Sequence, residues 1–119
     1  MASNQRSFRL ATAAGATVAG DVAMADTVWR RFMGLMGRSE LPAGAGLYIK
    51  PCSSIHMFFM RFPIDVAFVD KDGRVVRLYH GLRPWRMSRV VRRAKAAIEL
   101  PSGALANAGV GVGDLLTMS

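Results

Sequence analysis

The sequence predicts a mainly β domain: a compact barrel or jelly-roll-like sandwich with one short helix near its amino terminus. Three observations lead there. Short runs suited to strands recur along the chain, separated by turns containing Gly, Pro or Asp rather than by long linkers. The strongest of them, Ile64 to Val69, runs into Asp70-Lys71-Asp72-Gly73, whose Asp-Gly pair suits a tight hairpin. One segment, near residues 27–35, has clear helical spacing. A chain of 119 residues with 51% hydrophobic content is large enough for one core without disulfide staples. A closed or two-layered sheet would also protect its strand edges.

The elements follow in order. Residues 1–7 are expected to form a disordered leader, and residues 8–119 a single β-rich domain. Phe8 to Ala13 is a first strand, with Phe8, Leu10 and Thr12 on one face. Ala14-Gly15-Ala16 turns into a second strand of small residues, Thr17 to Met24. Asp26 or Thr27 caps a helix through Val28, Trp29, Phe32 and Met33, and Gly34 and Gly37 end it. Gly46 to Pro51 and Ile64 to Val69 are strands, the latter rich in branched and aromatic residues, and Val75 to Tyr79 returns from the hairpin. Ala96 to Leu100 is another strand, with Ile98 and Leu100 facing away from Ala97 and Glu99. Pro101 to Gly109 holds a turn or one helical turn. A final strand is expected in Val112 to Met118, after the Gly-Val-Gly-Asp turn at 111–114. Met87 to Lys95 is ambiguous: its apolar spacing suits a helix capped by Ser88, but an arginine-rich surface loop is the preferred reading.

The charge is uneven. The chain carries +8, with thirteen arginines against three lysines. Between Arg74 and Lys95 there are eight basic residues and no acidic one. That asymmetry predicts a positive lobe that attracts anions. Arg83, Arg86, Arg89, Arg92 and Arg93 surround Pro84-Trp85, a pattern open to nucleic acid or to lipid headgroups, or to a plain solvated surface. No recognised nucleic-acid reading motif accompanies them. Cys52 is the only cysteine, so no intrachain disulfide forms. No apolar run reaches the roughly 18–20 residues of a membrane span. The polar amino terminus lacks the apolar centre of an export signal. This places the chain, as it stands, in the cytoplasm, and leaves the periplasm or export open should a leader have been removed.

Several constellations bear on chemistry. Arg61 and Asp65, four residues apart across Pro63, are expected either to pair at a strand entrance or to grip a ligand. Asp65 with Glu99 offers an acid and a base for a hydrolase or lyase, provided their separation suits. His56, Met57, Met60, Met33, Met36 and Cys52 are soft donors suited to copper(I), but they lack a repeated spacing and methionine commonly fills cores. Neither a metal nor a cofactor is expected. The glycines match no phosphate loop and no nucleophile elbow is present. The preferred function is therefore a ligand-binding or accessory module. Its candidate cleft is lined by Arg38, His56, Met60, Arg61, Asp65 and Glu99, and takes an anionic or polyhydroxylated ligand. Catalysis by Asp65 and Glu99, and sequence-independent nucleic-acid binding through Arg83–Arg93, are the alternatives.

Five ordered blocks also resemble a known family. They are Ala25-Asp26-Thr27 with Arg31, Gly34-Leu35-Met36-Gly37-Arg38 and Leu41; Met60-Arg61 with Ile64-Asp65 and Phe68; Asp72-Gly73-Arg74-Val75-Val76; Ala97-Ile98-Glu99-Leu100 with Gly103; and Gly111-Val112-Gly113-Asp114. Together they resemble the "domain of unknown function 192" family of bacteria and archaea over roughly residues 18–118. The resemblance implies a small, mainly β, barrel-like domain and no particular activity. Many relatives carry Trp-Met-Lys-Asn-Thr where this chain has Phe59-Met60-Arg61-Phe62-Pro63. No role of that Asn-Thr pair transfers here.

Overall fold

The structure, a computed structural model, describes residues 7–25, 41–55, 57 and 61–119. The predicted helix near 27–35 lies outside them. Seven strands are described: β1 (Ser7–Thr12), β2 (Thr17–Ala25), β3 (Ala45–Ile49), β4 (Ile64–Val69), β5 (Val75–Leu82), β6 (Ala96–Pro101) and β7 (Leu116–Met118). One helical turn, α1 (Ala104–Asn107), follows β6. The strands form one sheet in the order β5-β4-β6-β3-β2-β1-β7. The β2–β3 pair is parallel and the other pairs are antiparallel. The fold is mainly β, a sheet curled into a half-barrel.

The curl brings the sheet's two edges together at one end. Arg74, just before β5, makes an isolated antiparallel bridge to Leu115, just before β7. Val75 N–H donates to the Asp114 carbonyl at 2.8 Å, Gly113 N–H to the Val75 carbonyl at 2.8 Å, and Leu116 N–H to the Gly73 carbonyl at 2.9 Å. These bonds satisfy edge groups that would otherwise be open to another chain. Gly73 makes the approach feasible. Its φ is +88°, and a Cβ there would lie 2.8 Å from the Leu116 carbonyl oxygen. A side chain at this position is both strained and pressed against backbone. Gly73→Ala is expected to cost about 2–3 kcal/mol in urea unfolding, in line with other backbone-clash substitutions. A loss below about 0.5 kcal/mol would show that the edge contact gives way freely.

Two apolar layers sandwich the sheet. The inner one draws on Leu10, Val22, Ala67, Val69, Ile98, Leu100, Leu105 and Leu116, from strands across the whole sheet and from α1. The outer one is built from Leu47, Ile49, Ile64, Val66, Phe68 and Ala97 of β3, β4 and β6. Ile55, Met57 and Ala94 cover it from two long excursions. Both faces of β4 and β6 are therefore buried, which suits their near-continuous apolar sequence.

The two excursions are zipped together. Met57 N–H donates to the Arg86 carbonyl at 2.6 Å, Trp85 N–H to the Met57 carbonyl at 2.8 Å, and Ser88 N–H to the Ile55 carbonyl at 2.7 Å. Val91 N–H reaches the Ser53 carbonyl at 2.8 Å and Cys52 N–H the Lys95 carbonyl at 3.1 Å. The buried Ser88 hydroxyl accepts from Ile55 N–H at 2.9 Å, and the Tyr79 hydroxyl accepts from Arg89 N–H at 2.9 Å. Residues 87–95 thus form no helix. With residues 83–86 they make up an irregular strap, held down by backbone bonds, as the surface-loop reading of 87–95 expected.

Candidate functional site

Strand alternation decides where the two central carboxylates go. In the β4–β6 ladder Asp65 lies opposite Leu100, and Val66 lies opposite Glu99. Paired residues share a face and neighbours along a strand alternate, so Asp65 and Glu99 project to opposite sides of the sheet.

Asp65 points inward and is fully buried. Its Oδ1 accepts from Gly81 N–H at 2.8 Å, and its Oδ2 from Gly103 N–H at 3.0 Å and Leu105 N–H at 3.1 Å. Gly103 caps α1 but has no side chain, and no acidic residue lies in the first turn. Asp65 therefore supplies, from a distant strand, the oxygen that these amino-terminal N–H groups need. It ties β4, β5 and α1 together. The expected partnership with Arg61 is replaced by this one: Arg61 is exposed on the surface, whereas all three donors to Asp65 are backbone amides.

Glu99 is in the opposite condition. It lies on the outer face between Leu47 of β3 and Val66 of β4, with Tyr79 of β5 one strand further along the same row. The strap covers this face, and Glu99 is 7% exposed. Its Oε1 is sealed from water and has no hydrogen-bond partner among the described residues. Burial pushes the carboxyl from its ordinary value of 4.5 up to about 7, because the charged form loses its hydration. A buried acceptor without a donor is rare and costly.

The remaining candidates divide. Arg38, His56 and Met60 lie outside the described residues, as do Met33 and Met36. Among the described residues no group of three His, Cys, Asp or Glu side chains comes together. Arg83, Arg86, Arg89, Arg92 and Arg93 are all exposed along the strap. Amid them stand three apolar residues whose exposure the sequence did not announce: Trp85 at 60%, Met87 at 63% and Val90 at 71%. A shallow groove of about 220 Å³ beside α1, lined by residues such as Thr17, Ser102 and Asn107, contains none of the candidate residues. No helix among the described residues is long and apolar enough to cross a membrane.

A curled half-barrel with one carboxylate spent on its own backbone, and another buried without a donor beneath a strap, is the class that these features define. The chain belongs to the DUF192 family, whose model, described as "Uncharacterized ACR", matches residues 9–118. It is similar to a UPF0127 protein of Thermococcus sibiricus, 40% identical over 100 residues, a match covering 80% of this chain and 64% of that protein. The chain thus spans less than two thirds of that relative's length. A UPF0127 protein of Pyrococcus furiosus is 38% identical over 101 residues, covering 81% of this chain and 84% of the relative. In three dimensions the chain resembles a protein of unknown function from Novosphingobium aromaticivorans, with a TM-score of 0.81 at 22% identity over 95% of this chain and 84% of that one. That likeness shows the fold alone.

Proposed function

We propose that the domain is a binding module that holds a small polyhydroxylated ligand against Glu99 on the outer face of the sheet, in a site the ligand enters by displacing part of the strap that covers it. The observation behind this reading is the unpartnered, buried Oε1 of Glu99. An oxygen in that position forfeits about 1–3 kcal/mol, which a ligand hydroxyl would restore by donating to it. Of the two ligand classes suggested by the sequence, an anion suits the site less well. Above pH about 7 Glu99 is itself negative, and a second negative charge in low dielectric is repelled. Catalysis by Asp65 with Glu99 is also disfavoured, because the sheet stands between them and Asp65 already accepts three hydrogen bonds.

The test is a thermal-shift screen of monosaccharides, disaccharides and polyols against the parent chain and Glu99→Gln. A binder present at a hundred times its Kd stabilises the parent by about 2.7 kcal/mol. Its affinity is expected to rise as pH passes through about 7, since a carboxylate accepts more strongly than a carboxylic acid. Glu99→Gln is expected to lose at least tenfold in affinity, the worth of one charge-assisted bond of about 1.4 kcal/mol or more. Equal shifts in parent and variant would place the ligand elsewhere, and no shift from any compound would remove this ligand class.

A further inference from the structure

The strap carries a second feature, independent of Glu99. Trp85 has a φ of +66°, a left-handed conformation unusual for a bulky residue, and is the one non-glycine with positive φ among the described residues. The backbone bond from its N–H to the Met57 carbonyl anchors this turn. The turn leaves the indole largely exposed, and Met87 and Val90 stand out on the same strap. A run of exposed apolar side chains marks an interaction surface rather than a scattered residue.

Arginines are interspersed with these residues along the chain, at 83, 86, 89, 92 and 93, and other basic groups are engaged elsewhere. Arg77 stacks over the Tyr79 ring at 5.0 Å, Arg74 donates to the Gly113 carbonyl at 2.7 Å, and Arg93 lies in the field of Asp70. Arg83, Arg86, Arg89 and Arg92 are exposed and have no acidic partner among the described residues. The occupant must therefore combine negative charge with an apolar layer a few ångströms deep. We infer that this strap is a docking surface for an anionic lipid bilayer, with Trp85, Met87 and Val90 entering the interfacial zone and the four arginines meeting the headgroups.

Two arguments favour a bilayer over nucleic acid. Single strands are held by successive aromatic platforms, and among the described residues the strap presents one exposed aromatic beside two aliphatic side chains. Met and Val gain little from a base stack but gain burial among acyl chains, while Trp favours the membrane–water boundary. Apolar insertion plus basic attraction is the two-part pattern that reversible surface binders use.

The test is sedimentation of the whole chain with vesicles of phosphatidylcholine alone or with about 30% phosphatidylglycerol, at low and high salt. Binding to the anionic vesicles only, weakening with salt, is expected. Removing three charges in Arg86→Gln/Arg89→Gln/Arg92→Gln should lower partitioning by about a hundredfold, at roughly tenfold or less per charge. Trp85→Gly relieves the strained backbone, so it should keep the native circular dichroism while partitioning about tenfold less. Met87→Gln/Val90→Gln gives the same reading without touching the turn. Equal binding to neutral vesicles would overturn the proposal. So would apolar variants that partition like the parent, or a single-stranded oligonucleotide that outcompetes the vesicles.

Discussion

Asp65→Ala is expected to be the most damaging single substitution in the described part of this chain outside the apolar layers. It removes the acceptor for three backbone N–H groups, that of Leu105 buried and those of Gly81 and Gly103 partly buried. Each unpaired donor costs about 1–3 kcal/mol, so the total is expected at about 4–5 kcal/mol after partial relief by water. That approaches the whole stability of many small domains, about 5–15 kcal/mol. Asp65→Asn keeps one acceptor oxygen but turns an amide NH₂ towards an N–H, and should fall between the parent and Asp65→Ala. Urea denaturation followed by circular dichroism reads both. Amide exchange should localise the effect, with protection lost first at Gly81, Gly103 and Leu105. An Asp65→Ala variant within 1 kcal/mol of the parent, on the scale of one ordinary hydrogen bond, would show that water or a rearranged α1 replaces the carboxylate.

Glu99→Gln is expected to act in the other direction. The folded carboxyl titrates near 7 against 4.5 ordinarily, so the native state binds the proton more tightly than the unfolded chain. Below pH 4.5 both states are protonated and the carboxyl is neutral in effect. As pH rises towards 7 the unfolded chain ionises while the folded one resists, and stability falls by roughly 3 kcal/mol before levelling off. Glutamine is neutral at every pH. The variant should therefore match the parent at pH 4 and exceed it by roughly 3 kcal/mol at pH 8, measured by urea unfolding. A variant less stable than the parent at pH 8 would mean that the ionised carboxylate is held by a donor. Stabilisation by removing a buried charge is the usual mark of a group retained for a task other than folding.

Much of the fold was legible because local pattern and tertiary environment agree. Ile64 to Val69 forms a strand over the same bounds in sequence and structure, since its branched and aromatic residues suit a buried strand on either face. The turns at Gly15 and Gly73 fall where glycine and aspartate mark them. Other boundaries depended on distant partners. β5 continues past Tyr79 to Leu82 because Leu82 pairs with Ile64, which nothing near residue 80 announces. β7 starts at Leu116 rather than Val112 because Asp114 Oδ2 accepts from Gly111 N–H at 2.8 Å and holds residues 111–114 in a turn.

The candidate site was less legible, and for a definite reason. Closeness in sequence suggested that Arg61 would find Asp65, but strand alternation turns Asp65 inward to amides that include two 38 and 40 residues away. Alternation also separates Glu99 from Ile98 and Leu100, as the sequence reading expected. It did not reveal that the outer face is covered as well. That cover comes from the zipping of residues 52–55 and 57 onto 85–95, a long-range pairing of irregular segments with no periodic signature. The exposure of Trp85, Met87 and Val90 follows from the same strap, whose inward positions are taken by Ser88 and Ala94 beside Ile55 and Met57 of the facing excursion.

Everything proposed for Glu99 rests on its being buried without a donor. Titration of its side-chain carboxyl carbon by nuclear magnetic resonance, in the ligand-free parent chain, measures that condition directly. A midpoint near 7 is expected, with the signal assigned by its disappearance in Glu99→Gln. A midpoint at or below the ordinary 4.5 would mean that the carboxylate is solvated or already hydrogen-bonded, and the site would lose its reason to take a ligand.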